Sequence, residues 1–425
     1  MHANEDTGRQ AINTESNSSD NSFAPRLLTL ALFVIAFLVP VSPELGSIGL
    51  RPEDLLLVVL GVILLVDVLV RPRLELLGRE FFGALTAVWL ASALATAIGA
   101  LLGTATLLSL NPIESGLLTV AKEAELLVLF LLVVRYVRVS ETAKRLIDTL
   151  CLGATMLASL LILELLLFEH GALVPHQQFH LMGEIFAFAA SLAAGRLFFG
   201  SPTDRGHVLY AGCLGITGVG ILVSGEAGAM IGAAAAAAML TFIVLESSRL
   251  RVSRRMIALG GAGGIIALSL VVVLVPDVGA MAGNQIADIL SILSGDPRNS
   301  TQVRFRHWAE RIPNVLTSRP LLGFGQMAIP PGGLDNEYFQ RLYYTGLLGL
   351  GAYVYLLLTA TRTAFATVDR DETGFAAGYA GVVGVMLGAG LAKGVFHSTK
   401  TSAIFVMCSA LVFVLLYRDG FDGDG

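Results

Sequence analysis

The chain has 425 residues, 55% of them hydrophobic and only 14% charged, with a mean hydropathy of +0.74 and a formal net charge of -5. That composition excludes an ordinary soluble domain and indicates a polytopic membrane protein, while the small acidic balance excludes the basic footprint of a nucleic-acid partner. The cysteines Cys151, Cys213 and Cys408 lie inside apolar runs, at spacings that fit neither a disulfide framework nor a metal cluster.

The first 25 residues are rich in Asn, Ser, Asp and Glu and are expected to form a disordered cytoplasmic tail. Apolar runs follow near Leu27–Val39, Leu55–Val70, Phe82–Leu102, Leu117–Val134, Leu146–Phe168, Leu181–Phe199, Val208–Val223 and Ala227–Leu245. Four more lie near Met256–Val275, Thr345–Thr359, Phe375–Leu391 and Ala403–Leu416. About 20 apolar residues are enough to cross the hydrocarbon as a helix, and the runs lack the alternation of barrel strands. The expected fold is all-α: a polytopic bundle of about twelve transmembrane helices with one long extracytoplasmic loop. Nine helices would occupy residues 26–275, the loop 276–340, three helices 341–417, and a second cytoplasmic tail 418–425.

Orientation follows from the short loops. With the amino terminus inside, the cytoplasmic connections hold Arg71, Arg73 and Arg79; Arg135, Arg138, Lys144 and Arg145; Arg196 and Arg205; Arg249, Arg251, Arg254 and Arg255; and Arg362 and Arg370. The short outer loops carry only Arg51, Lys393 and Lys400. Both termini are therefore expected in the cytoplasm and the long loop outside a plasma (inner) membrane.

Charges within spans cost roughly 2.5–3.5 kcal/mol each at the helix centre, so their placement is informative. Lys122, Glu123, Glu125, Glu164, Glu184, Glu226 and Lys393 all lie toward the expected outer face. Snorkelling, or pairing such as Lys122 with Glu125, is the structural alternative. His176, His180 and Glu184 have a spacing of four that could seat a metal on one helix face, but Pro175 and two glutamines interrupt it, and no metal site is expected. No P-loop or Gly-rich nucleotide fingerprint occurs, which argues against ATP-driven transport, and no cofactor is expected.

The most informative stretch runs from Gln302 to Leu358. Arg304 and Arg306 precede His307 and Trp308; RPLLGFGQ ends at Gln326; Asp335 and Asn336 then open an aromatic helix start that leads into TGLLGLG. A planar guanidinium matches phosphate bidentately and stays charged, so these arginines suit a phosphate ligand, with a solvated, salt-bridged loop helix as the alternative. Asp335 after the Pro/Gly turn is also a good helix N-cap.

This order of parts resembles the O-antigen ligase and polymerase family, whose members join sugar chains carried on a polyprenyl lipid. The resemblance implies a metal-independent glycosyltransferase that ligates or polymerises a polyprenyl-(di)phosphate-linked oligosaccharide at the extracytoplasmic face. Its partners would be that donor, a glycan or lipid-linked acceptor and membrane lipids. Arg304 and Arg306, helped by Lys122, would stabilise the departing phosphate, and Asp335, Glu226 or Glu184 would position or deprotonate the acceptor. Asn336, Tyr338, Arg341, Lys393 and His397 would line the substrate site. Two positions depart from the family pattern: Asp335-Asn336 stands where ligases show His-Asn, and Ser224-Gly225-Glu226 where Ser-Arg-Gly is usual. A secondary transporter or flippase for an anionic lipid or solute is the alternative, although no internal repeat of the kind transporters use is present.

Overall fold

The computed structural model describes residues 23–41, 52–70, 78–102, 110–137, 139–167, 182–200, 204–246, 283, 287, 291, 294, 299–328, 334–371, 373–396 and 399–418. Among them the fold is all-α. The helices are α1 (Phe23–Val41), α2 (Pro52–Val70), α3 (Arg79–Leu101), α4 (Leu110–Tyr136), α5 (Ser140–Leu167), α6 (Gly183–Phe199), α7 (Asp204–Val223), α8 (Ala227–Glu246), α9 (Asn299–Ser318), α10 (Glu337–Val368), α11 (Phe375–Ala389) and α12 (Thr399–Arg418). Every helix except α9 overlaps one of the expected apolar runs; the run Met256–Val275 lies outside the described residues. Five helices, α3, α5, α7, α8 and α10, are long and apolar enough to cross a membrane. Large apolar side chains such as Leu55, Val62, Leu69, Leu94 and Leu163 are exposed on the helix exteriors. Outward apolar faces are what lipid requires, and the protein is a membrane-embedded helical bundle.

The interior is built around α11 and α12. α11 is buried along nearly its whole length and passes between α6 and α8 at backbone distance. A Cβ at Gly384 would lie 2.8 Å from Ala236 Cα, and one at Gly378 would lie 2.8 Å from Leu192 Cα. The Gly232–Ala238 stretch of α8 thus serves as a close-packing face, as small-residue runs in membrane helices do. On the other side, Phe81 of α3 stacks on Phe130 of α4 at 5.4 Å and meets Phe405 and Phe413 of α12 at 6.0 Å each.

α10 is bent sharply at Gly346, whose φ of 65° and ψ of -162° break the helix. The rings of Tyr338 and Tyr353 lie 5.9 Å apart, whereas fifteen residues of straight helix would separate them by about 22 Å. The first limb (residues 337–345) therefore turns across the end of the bundle. Breaking the helix frees backbone groups on both sides of the bend, and the segment after α9 supplies their partners. Phe324 and Gly325 donate N–H bonds to the carbonyls of Tyr343 and Tyr344 (2.9 and 2.8 Å), while Leu347 and Leu348 donate to the carbonyls of Pro320 and Leu321 (2.8 and 3.2 Å). RPLLGFGQ is thus a strap over the elbow, irregular backbone held at the bundle end by these four bonds.

Polar pairs collect at the two ends of the bundle. At one end Asp67 of α2 accepts from Arg135 (3.0 Å) and Tyr136 (3.1 Å) of α4. There too Arg196 of α6 binds the Tyr210 hydroxyl and the Thr373 carbonyl, and Tyr210 donates to Asp148 at 2.7 Å. The charged residues of the expected outer face meet at the opposite end.

Candidate functional site

The turn Gly390–Phe396, which follows α11, organises this second end. The Gly390 carbonyl accepts from Glu337 N at 2.8 Å, the Leu391 carbonyl accepts from Asn336 Nδ2 at 2.8 Å, and Phe396 N donates to Glu337 Oε2 at 2.9 Å. The turn is therefore stapled to the start of α10. Asn336, not Asp335, is the N-cap: its extended backbone (φ -161°, ψ 121°) lets the side-chain oxygen accept from Phe339 N at 3.0 Å. The capping role that the sequence suggests for Asp335 is thus corrected by one residue, and the Asp335 side chain is turned outward to another partner.

That partner is Arg304, whose Nε lies 2.9 Å from Asp335 Oδ2, with both side chains about half exposed. Trp308, one turn along α9, packs edge-on against Phe339 at 4.8 Å and against Phe305 at 5.2 Å. α9 is thus clamped onto the first limb of α10 by one ion pair and one aromatic contact, leaving the guanidinium within reach of solvent. Arg306 is exposed on α9, away from this contact.

A second cluster is buried. Lys393 Nζ lies 2.6 Å from Glu226 Oε1 and 3.4 Å from Glu184 Oε1. Glu226 sits in the α7–α8 turn, where Gly225 adopts a positive φ of 63°, and Glu184 in the first turn of α6. Gly183 makes room for them: a Cβ there would lie 2.7 Å from Ser224 Oγ and 2.9 Å from Glu226 Oε2. Glu226 Oε2 is buried without a hydrogen-bond partner among the described residues. Burial, and then the neighbouring Glu184, push the Glu226 carboxyl up to about 9 against the pull of Lys393. Burial also works against the charge of Lys393, but Glu184 and Glu226 outweigh it and the ammonium is held above its ordinary range. The cluster thus sets a buried carboxyl that holds its proton tightly beside a charged ammonium.

A third cluster lies deeper. Arg341 is fully buried, with Nε 2.8 Å from Glu337 Oε1 and Nη1 2.6 Å from Glu123 Oε1 of α4. Its guanidinium also stands 5.5 Å from the Tyr353 ring and 5.0 Å from the Phe396 ring. It ties α4, α10 and the turn together, and its contacts are to protein groups. Glu337 and Glu123 are not among the site residues expected from the sequence; the i,i+4 spacing of Glu337 and Arg341 is a local signal for the first, and the placement of a charge within a span is one for Glu123, whose partner 218 positions away has none.

Of the residues singled out in the sequence, Arg304 meets Asp335, while Glu226, Glu184 and Lys393 meet one another. Asn336 and Arg341 flank the turn, and Tyr338 donates to the Leu387 carbonyl at 3.1 Å. Lys122 is half-buried on α4 beside Glu123. His397, His176 and His180 lie outside the described residues. Among the described residues no group of three or more His, Cys, Asp and Glu is placed to hold a metal. No protein-family model matches the chain, and no curated protein matches it in sequence.

Proposed function

We propose that the protein is an integral membrane glycosyltransferase that ligates or polymerises a polyprenyl-(di)phosphate-linked oligosaccharide at the extracytoplasmic face, with both termini in the cytoplasm. The observation that carries this reading is the gathering of Arg304–Asp335 and Glu226–Lys393–Glu184 at one bundle end, around the single turn Gly390–Phe396. These are the two functions that sugar transfer from a lipid phosphate needs: a cation for the departing phosphate and a proton acceptor for the incoming hydroxyl.

In this mechanism the acceptor hydroxyl attacks the anomeric carbon of the donor while the anomeric carbon–oxygen bond to phosphate breaks. Arg304 exchanges Asp335 for the phosphate oxygens, which a half-exposed pair permits at little cost. Glu226, as the carboxylate, takes the hydroxyl proton while Lys393 holds Oε1. A carboxyl pushed up to about 9 is a far stronger base than an ordinary one, and its protonated fraction at neutral pH is the trade for that strength. Arg341, Glu337 and Glu123 hold the turn on which Lys393 stands.

The surface-glycan profile of a deletion strain tests the reading. Loss of polymer or of capped lipid, with lipid-linked precursor accumulating, is expected, and complementation should succeed with the wild-type gene and fail with Glu226→Gln. An unchanged glycan profile with an altered distribution of an anionic solute or lipid would instead favour transport.

A further inference from the structure

We infer that α9 is an interfacial membrane helix, seated in the outer leaflet of a phospholipid bilayer by an apolar stripe that makes no part of the protein core. At 3.6 residues per turn, Phe305, Ala309, Pro313 and Leu316 fall within about 80° of one another on the helix surface, an arc whose amino-terminal end also holds Gln302, while the exposed Val303 lies on the opposite side. All four are exposed, Phe305 by 40% and Leu316 by 44%. The inner face is a separate arc: Trp308 packs on Phe339, Val315 is buried, and Arg304 pairs with Asp335. Arg306 and Glu310 lie on the polar side of the stripe and are also exposed.

Three observations identify lipid as the occupant. First, the stripe is continuous with the lipid-facing surface of a spanning helix: the strap that leaves α9 places Leu321, 61% exposed, against Leu348, 52% exposed, through the bond from Leu348 N to the Leu321 carbonyl. Leu347, 46% exposed, extends the same surface. Second, Pro313 has no N–H, so the Ala309 carbonyl loses its helical donor and must be met by water. That keeps this part of the helix out of the hydrocarbon core, where the carbonyl would stay unsatisfied, and is compatible with headgroup depth. Third, Arg306 at the edge of the stripe can carry its guanidinium up to a lipid phosphate while its stem follows the apolar face. An aromatic and leucine face with a basic margin is the composition such helices use. The inference rests on the membrane-embedded fold and stands whether or not the protein transfers glycans.

The test uses the full-length chain with its three native cysteines replaced, reconstituted in phosphatidylcholine–phosphatidylglycerol vesicles. Single cysteines are introduced as Phe305→Cys, Ala309→Cys, Leu316→Cys, Arg306→Cys and Glu310→Cys and labelled with an environment-sensitive fluorophore. Quenching by a nitroxide on the upper acyl chain is compared with quenching by aqueous iodide. The ratio of lipid to aqueous quenching is expected to be at least about threefold higher at 305, 309 and 316 than at 306 and 310, as for a helix lying in the interface. If the Phe305 variant fails to fold, positions 309 and 316 give the same reading. Equal ratios on both arcs, or stripe positions shielded from both quenchers, would overturn the inference.

Discussion

Arg304 and Glu226 carry opposite halves of the proposed chemistry, and each makes a separable prediction. Arg304→Lys keeps the charge but loses the planar fork, so transfer should fall by about tenfold or more, the loss of one transition-state contact of about 1.4 kcal/mol. The Arg304–Asp335 pair is half exposed, so thermal stability in detergent should stay at the wild-type value. A lysine variant with full turnover would reduce the pair to a surface ion pair. Glu226 predicts a pH effect. Its folded-state value, about 9, lies above the ordinary 4.5, so the folded protein binds more protons than the unfolded one between those values. The stability contributed by the protonated form is complete below about pH 4.5 and is lost as pH rises toward 9. Thermal unfolding midpoints should therefore decline from pH 5 to pH 9 in the wild type, and Glu226→Gln should flatten that decline; parallel curves for the two proteins would assign the slope elsewhere.

The decisive element is the elbow of α10 with its strap. Gly346 at φ 65° occupies a conformation that side chains rarely adopt, and a Cβ there would fall on the backbone of Leu321. Gly346→Ala should lower stability by several kcal/mol, because both the strain and the loss of the strap act together. Gly212, in the interior of α7 with open space around it, is the matched control: Gly212→Ala should be neutral or stabilising by about 0.5–1 kcal/mol. Unfolding in detergent distinguishes the two, and equal midpoints would mean that the elbow does not constrain the fold. TGLLGLG reads in sequence as the start of an ordinary apolar helix, because the bend is set by one residue and by partners more than twenty positions upstream. The cap shows the same limit on a smaller scale. Asp335 and Asn336 are both good cap residues, and only the backbone reveals which one faces Phe339 N. The apolar runs themselves were legible, since lipid imposes length and composition on each run independently of its neighbours.

The two polar ends of the bundle draw on residues from distant parts of the chain. The drift of Glu184, Glu226, Lys393 and Glu123 toward one face was legible from spacing along the chain, but their partners were not. Arg341 finds Glu123 across 218 positions and Lys393 finds Glu226 across 167, and such contacts leave no local signature. If this end is outside, a cysteine at Ser294, which is exposed, should react with an impermeant thiol reagent in intact cells expressing a chain without Cys151, Cys213 and Cys408. Labelling only after the membrane is opened would invert the topology and with it the proposed substrate side.

Glycan transfer from a lipid-linked donor can be followed with the purified protein in proteoliposomes, resolved by product chain length. Transfer should proceed without added metal or nucleotide, as a ladder for polymerisation or a single added block for ligation, with a loss of about 10² or more in Glu226→Gln, the usual scale for removing a general base. Undiminished transfer in that variant, with the loss falling on Asp335→Asn instead, would move the base to Asp335; no transfer by the wild type would mean that the protein is not a glycosyltransferase.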